Sequence, residues 1–147
     1  MEAMLGAELL TKEGMKPTAE VLAGKKLVGL YFSAHWCPPC RRFTPHLSTL
    51  YEDYIDGGDD GDMVIIFVSS DRDAASCADY YGGMSFACLP FANRAAKEAL
   101  SKKYGVRGIP MLVVCRPDGG VVVANARGEA QSSQDLGKLV EAWSARS

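Results

Sequence analysis

Two stretches of the chain are apolar at almost every position. Residues 27–34 read LVGLYFSA and residues 63–70 read MVIIFVSS, and both are rich in β-branched and aromatic side chains. Strands that are covered on both faces of a parallel sheet show this pattern. Between the two stretches, apolar residues recur at helical spacing, at Phe43, Leu47, Leu50, Tyr51 and Tyr54. The sequence therefore predicts a β-α-β unit.

The pattern changes after residue 70. Residues 71–83 predict a short helix that ends at paired glycines, and residues 93–105 predict a second helix with Asn93 as its N-cap and Gly105 just past its end. Two further apolar runs, MLVVCR and VVVANA, flank the turn signal of residues 117–120. They are therefore predicted to be antiparallel neighbours.

The two ends of the chain add one helix and one hairpin. Ser132 stands three residues before Asp135 in a capping-box pattern, and an amphipathic helix is predicted after it. Near the start, ELLT and TAEVL around Gly14 and Pro17 favour an extra hairpin at the sheet edge. The clear elements then follow the order β-α-β-α-α-β-β-α.

Composition restricts the function classes. The 147 residues suit one domain, 1–147, and 48% hydrophobic content with a formal charge of -2 gives no reason to expect a nucleic acid or an anionic membrane as a partner. No apolar run reaches the length of a membrane span. The first residues lack a basic segment followed by an apolar one. Because nothing there looks like a secretory signal, a reducing, cytoplasmic location is expected. The five cysteines are an odd number, and the size of the chain and this location both argue against a disulfide scaffold.

The candidate chemistry lies where the first clear strand meets its helix, in the sequence WCPPC. Cys37 begins the helix, so unpaired backbone N–H groups favour a negative charge on its sulfur. Lowering a thiol pKa from about 8.5 to about 7 leaves a net gain in reactivity of about three- to fourfold, because nucleophilicity falls with the pKa. Activation of this thiol alone is therefore modest.

Geometry supplies the rest of the expected advantage. Pro38 and Pro39 suit the first helical turn, where a missing N–H breaks no helical bond. They hold Cys40 about one turn from Cys37. The sequence thus predicts that Cys37 attacks a disulfide and that Cys40, deeper in the helix, resolves the mixed disulfide.

Four segments carry a resemblance to a known family. YFSAHWCPPCRRFTPHL, DYYGGMSFACLPF, YGVRGIP and NAR resemble the matching stretches of tryparedoxins and nucleoredoxins, from about Gly24 to about Arg127. The resemblance implies a thioredoxin fold of the α/β class, a central mixed β-sheet flanked by helices. It also implies a thiol–disulfide oxidoreductase whose only redox group is its own Cys37–Cys40 disulfide.

The resemblance assigns further residues to the site. It implies a cis Ile109–Pro110 bond that faces the dithiol and leaves the Ile109 backbone to pair with substrate; the alternative is a trans proline at the start of a strand. It places Trp36 at the surface beside the site, where simple packing is the alternative. It places Arg127 near a bound dithiol, although a solvated charge explains this residue equally well.

The sequence leaves the electron donor and acceptor open. The resemblance implies electrons from trypanothione, glutathione or a reductase, delivered to protein disulfides such as those of peroxiredoxins, by a protein expected to act as a monomer. Ser70 and Arg72 depart from the tryparedoxin pattern, and Arg72 disfavours a cationic donor such as trypanothione. A nucleoredoxin-like, redox-gated binding module and an oxidant or isomerase are the alternatives. Tyr31 stands where many thioredoxins bury an aspartate.

The remaining candidates have structural explanations. Cys77, Cys88 and Cys115 are predicted to be small buried hydrophobes, with Cys88 the one thiol in a loop near the site that could be regulatory. A zinc site lacks a second close pair of ligands. The acidic turn DGGDDGD puts Phe67 where an EF-hand needs glutamate. No metal site is predicted.

Overall fold

The apolar runs form the centre of a mixed sheet in a computed structural model that describes residues 1–56 and 61–147. The middle of the acidic turn discussed above lies outside the described residues. In chain order the described elements are α1 Glu2–Leu5, β1 Glu8–Thr11, β2 Gly14–Pro17, α2 Thr18–Leu22, β3 Leu27–Ser33, α3 Pro38–Asp56, β4 Met63–Ser69, α4 Ala74–Tyr81, β5 Ala87–Cys88, α5 Arg94–Lys103, β6 Met111–Cys115, β7 Val121–Val123, α6 Arg127–Gln131 and α7 Leu136–Arg146.

The predicted β-α-β unit lies at the middle of this sheet. Within the described residues the sheet has seven strands in the order β2-β1-β5-β4-β3-β6-β7. β3 pairs in parallel with β4, and β4 pairs in parallel with β5. β6 is antiparallel to β3, and β7 is antiparallel to β6, as the turn signal predicts. The architecture confirms the predicted thioredoxin fold.

Every residue of β3 and β4 is buried, because helices cover both faces of the sheet. Alternate side chains point to opposite faces. Leu27, Tyr31 and Phe67 pack on the side of α3 and α7, whereas Val28, Phe32 and Val68 pack on the side of α1 and α5. The dithiol region sits on the edge of the sheet at which β3 and β4 end.

The N-terminal hairpin exists, but its second half was assigned to the wrong residues. β1 pairs with β2, Gly14–Pro17, and not with TAEVL. Gly14 directly follows the tight turn. Its φ of +105° is one that a residue with a side chain rarely adopts, so the turn requires glycine at this position. TAEVL instead forms α2, in which Thr18 is buried and its hydroxyl donates to the Gly6 carbonyl at 2.6 Å.

The closing helix also begins differently from the prediction. Ser132 terminates the short helix α6, and its N–H donates to the Gly128 carbonyl. Asp135 is the N-cap of α7: its backbone is extended, and its Oδ1 accepts the N–H of Lys138 at 3.2 Å. The capping-box assignment of Ser132 is therefore wrong, because Ser132 is the C-cap of α6.

Replacing Asp135 with alanine is expected to lower the free energy of unfolding by about 1 kcal/mol, because the α7 N-terminus loses its side-chain acceptor. Ser132→Ala is the matched control, with an expected change within about 0.5 kcal/mol. Urea denaturation followed by circular dichroism measures both. An equal loss in the two variants would contradict the capping assignment.

Candidate active site

Cys37 is the residue immediately before the first residue of α3, Pro38. Its sulfur accepts the N–H of Cys40 at 3.4 Å, as an N-cap side chain does. Its carbonyl accepts the N–H of Arg41 at 3.0 Å, the first bond of the helix. The free amide of the first turn is thus directed at the sulfur and stabilises negative charge there. Pro38 and Pro39 occupy the first turn without losing a helical bond.

Cys40 is the more enclosed of the two thiols. It is 0% exposed, compared with 5% for Cys37. Burial, together with the hydrogen bond to Cys37, raises the pKa of the Cys40 thiol to about 11. Both cysteines are free thiols in the structure. The Cys37 sulfur therefore borders the surface and accepts a backbone N–H, whereas the Cys40 thiol lies beneath it and stays protonated.

The loop before β6 closes the site from the other side. The Ile109–Pro110 bond is cis, as the resemblance implies. The Ile109 carbonyl accepts the Cys37 thiol at 3.7 Å, and the Ile109 side chain packs against Ala34, Cys37 and Cys40. Among the described residues, the Ile109 N–H has no hydrogen-bond acceptor. An extended segment could use this N–H in the manner of an added strand.

Trp36 forms the exposed flank of the site. Its side chain is 49% exposed, and its indole N–H donates to the Ser70 carbonyl at 3.0 Å. The Arg72 guanidinium lies 5.8 Å from the ring centre. The two residues that depart from the tryparedoxin pattern, Ser70 and Arg72, are therefore the residues that hold and border this ring.

Asp71 is a structural residue of the site that the sequence analysis did not single out. It is buried, and its two carboxylate oxygens accept the His35 N–H at 2.8 Å and the Ser69 hydroxyl at 2.7 Å. These bonds fix the segment before Trp36 to the end of β4. The one signal in the sequence is its place directly after a buried strand.

A cluster of hydroxyl groups lies beside Cys40, where many thioredoxins have an aspartate. The Tyr80 hydroxyl bonds both Ser33 Oγ at 2.8 Å and Thr44 Oγ1 at 2.6 Å, and Thr44 in turn bonds the Tyr31 hydroxyl. A hydrogen bond from Ser33 favours the charged form of Cys40, opposing the burial that raises its pKa. Burial raises the pKa of Tyr80 as well. The cluster is thus polar but uncharged.

Arg127 comes to the same edge of the sheet through a different element. It begins α6, with its N–H bonded to Asn125 Oδ1 at 3.1 Å, and that same oxygen accepts the Leu112 N–H at 3.3 Å. Leu112 follows Pro110 by two residues. The structure therefore places Arg127 near the cis-proline loop, and the predicted residues Trp36, Cys37, Pro38, Pro39, Cys40, Ile109 and Pro110 lie together around the dithiol.

The other three cysteines are all buried, as predicted. Cys88 is not in a loop facing the dithiol; it lies in β5, where its thiol donates to the Leu89 carbonyl at 3.2 Å. The prediction was wrong because residues 87–88 pair with both β4 and β1. Its thiol also interacts with Cys77, which raises the pKa of Cys88 and lowers that of Cys77. Burial raises the pKa of Cys115 to about 11.

Two features are absent from the part of the chain that the structure describes. No group of three or more His, Cys, Asp or Glu side chains there could hold a metal ion. None of the helices within those residues combines the length and the apolar character needed to cross a bilayer.

Comparison with known protein families identifies the family to which this site belongs. A family model described as thioredoxin-like matches residues 24–121, which include the dithiol, β4 and the cis-proline loop. The chain belongs to the thioredoxin-like family. Its members are redox proteins, so the dithiol lies in a thioredoxin-like oxidoreductase scaffold.

Within the thioredoxin-like family, this chain is similar to nucleoredoxins and tryparedoxins. Mouse nucleoredoxin is 37% identical over 83% of this chain, and tryparedoxin from Trypanosoma brucei brucei is 37% identical over 78% of it. The match covers 31% of the nucleoredoxin but 76% of the tryparedoxin. The chain thus spans about a third of the curated nucleoredoxin. A tryparedoxin II solved in complex with glutathionylspermidine has a TM-score of 0.79, with 32% identity and 87% of each chain covered.

Proposed function

We propose that this chain reduces protein disulfides through a dithiol–disulfide cycle of Cys37 and Cys40. The observation that carries the proposal is the Cys37 sulfur itself. It borders the surface, accepts an amide N–H of α3 at 3.4 Å and faces the Ile109 carbonyl at 3.7 Å. The site thus brings together a nucleophile, Cys37, a second thiol, Cys40, and the backbone of Ile109, which can pair with a substrate.

The cycle conserves atoms and electrons. The Cys37 thiolate attacks one sulfur of the substrate, forming a mixed disulfide and releasing the other sulfur as a thiolate that takes up a proton. Cys40 then loses its proton and attacks the Cys37 sulfur, which releases the second substrate thiol. Two electrons have passed to the substrate, and the chain holds a Cys37–Cys40 disulfide.

Proton removal from Cys40 is the step that the local structure must assist. Its pKa of about 11 means that the thiol is neutral near pH 7. The substrate thiolate released by the first attack can take up this proton, which completes the proton balance of the cycle. The Ser33 hydroxyl, which bonds the Tyr80 hydroxyl at 2.8 Å, favours the charged form of the Cys40 sulfur as its charge develops. Arg127, Trp36 and the Ile109 backbone would hold the substrate during these steps.

A low-molecular-weight thiol or a reductase must return the disulfide to the dithiol. Trypanothione, glutathione and a thioredoxin reductase are the donors we propose, with peroxiredoxins among the acceptors. The tryparedoxin complex with glutathionylspermidine supports a small glutathione-based donor. Arg72, beside Trp36, favours a donor without a polyamine.

Turnover tests the proposal against the second candidate, a redox-gated binding module, which the nucleoredoxin matches favour. The oxidised protein is supplied with each of the three donors, and reduction of insulin is followed. We expect many insulin disulfides reduced per protein molecule with at least one donor. If each protein molecule reduces two insulin disulfides or fewer, and its affinity for a partner depends on its oxidation state, the function is that of a binding module and not of a reductase.

A further inference from the structure

The edge of the sheet that carries the dithiol has a distinctive charge. Five segments meet there: residues 34–42, 70–73, 89–93, 105–110 and 124–127. Their ionisable side chains, apart from His35 and the two thiols, are five arginines and two aspartates, with no lysine and no glutamate. The chain as a whole has a formal charge of -2, so the residues outside these segments carry a formal charge of -5. We call these five residues the arginine rim: Arg41, Arg42, Arg72, Arg107 and Arg127.

The two aspartates at this edge are already engaged. Both oxygens of Asp71 accept hydrogen bonds from His35 and Ser69, and the side chain is buried. Asp73 caps α4, where its Oδ1 accepts the Ser76 N–H at 2.7 Å. None of the ion pairs found among the described residues includes a member of the arginine rim.

Two members of the arginine rim border the exposed Trp36 flank of the site. Arg41 and Arg72 line a groove of about 360 Å³ beside Trp36, together with Asp71 and Asp73, whose oxygens hold the hydrogen bonds given above. Arg41 donates to the His35 carbonyl at 2.8 Å and is exposed. Arg107 is exposed and precedes Ile109 by two residues, so its Cα lies within about 7 Å of the Ile109 Cα. A segment paired with Ile109 would have rim arginines on both sides.

Unpaired arginines around a reactive thiol recognise a definite chemistry. A guanidinium binds a carboxylate through two parallel hydrogen bonds, and clustered charges of one sign raise the rate of encounter with an oppositely charged partner. We propose that the arginine rim selects protein disulfides whose flanking residues are aspartate or glutamate. The proposal rests on the reductase function above and names the class of its acceptor.

Three synthetic peptides test this selection. They share one intramolecular disulfide and differ only at the four positions next to the cysteines, which are all glutamate, all glutamine or all lysine. With one donor throughout, kcat/KM is expected to be about tenfold higher for the glutamate than for the lysine peptide at about 20 mM salt. The ratio should fall to about twofold at about 0.5 M salt, where exposed charges are screened.

Arg72→Gln is expected to reduce the glutamate-to-lysine ratio about threefold, because one carboxylate partner is removed. Lys102→Gln is the matched control, because it also removes one exposed positive charge. Lys102 lies at the C-terminal end of α5, two residues before Tyr104. The Tyr104 hydroxyl donates to the Gly119 carbonyl in the β6–β7 turn, at the end of the sheet opposite to the dithiol. This variant should keep the ratio of the unmodified protein.

The outcomes separate the two proposals. If all three peptides are reduced equally well, the selection by the arginine rim is wrong and the reductase function stands. If neither the peptides nor insulin are reduced, the reductase function fails, and the selection fails with it. An equal fall in the ratio for Arg72→Gln and Lys102→Gln would attribute the preference to overall charge and would overturn the role of the rim.

Discussion

Replacing Cys37 with serine is expected to abolish reduction of insulin by this chain, with a loss of more than about a thousandfold. Attack on a disulfide requires a thiolate, and a serine hydroxyl is not ionised near neutral pH. The fold should tolerate the change, because the serine oxygen can still accept the Cys40 N–H that Cys37 Sγ accepts in the unmodified protein. Insulin precipitation at a fixed donor concentration measures the loss.

Cys115→Ser is the matched control for this experiment. Cys115 is also buried, and its thiol donates to the Val28 carbonyl at 3.4 Å, a bond that a serine hydroxyl can replace. It lies at the end of β6 opposite to the dithiol, so turnover should stay within about twofold of the unmodified protein. Substantial insulin reduction by Cys37→Ser would exclude Cys37 as the nucleophile.

The centre of the fold could be predicted from the sequence because its signals are strong and local. β3 and β4 are continuous apolar runs, α3 has one apolar stripe at helical spacing, and β6 and β7 are joined by a turn of proline, aspartate and glycine. Each of these elements buries enough apolar surface that tertiary contacts reinforce the local pattern.

The short elements could not be predicted in the same way. β5 has two residues, Ala87 and Cys88, and exists because β4 and β1 pair with it on either side. α6 has five residues, and the sequence pattern predicts no helix there. Elements this short carry no period of their own, so the packing of distant segments decides their conformation.

The site divides along the same lines. The positions of Cys37 and Cys40 follow from adjacent residues, because a cysteine at a strand-to-helix junction and another one turn later need only local structure. Asp71 and Tyr80 depend on contacts across 36 residues, from Asp71 to His35 and from Tyr80 to Thr44. Nothing in the WCPPC motif indicates these partners. The cis bond before Pro110 was available only through the resemblance, since proline bonds are mostly trans.

Replacing Cys40 with serine is expected to stop the cycle halfway, because the first attack needs only Cys37. A serine hydroxyl cannot displace the substrate from the Cys37 sulfur, so the mixed disulfide should accumulate to nearly one per protein molecule. Multiple turnover should fall at least about a hundredfold. Mass spectrometry under non-reducing conditions should show the adduct, and dithiothreitol should release the substrate from it.

The double variant Cys37→Ser, Cys40→Ser shows which sulfur carries the adduct. We expect no adduct in it, because Cys77, Cys88 and Cys115 are all buried and lie outside the WCPPC motif. Turnover by Cys40→Ser at the rate of the unmodified protein would mean that another thiol resolves the mixed disulfide. An adduct of equal abundance in the double variant would move the nucleophile away from Cys37. Cys40, whose burial raises its pKa to about 11, would then be a buried core residue without a role in the cycle.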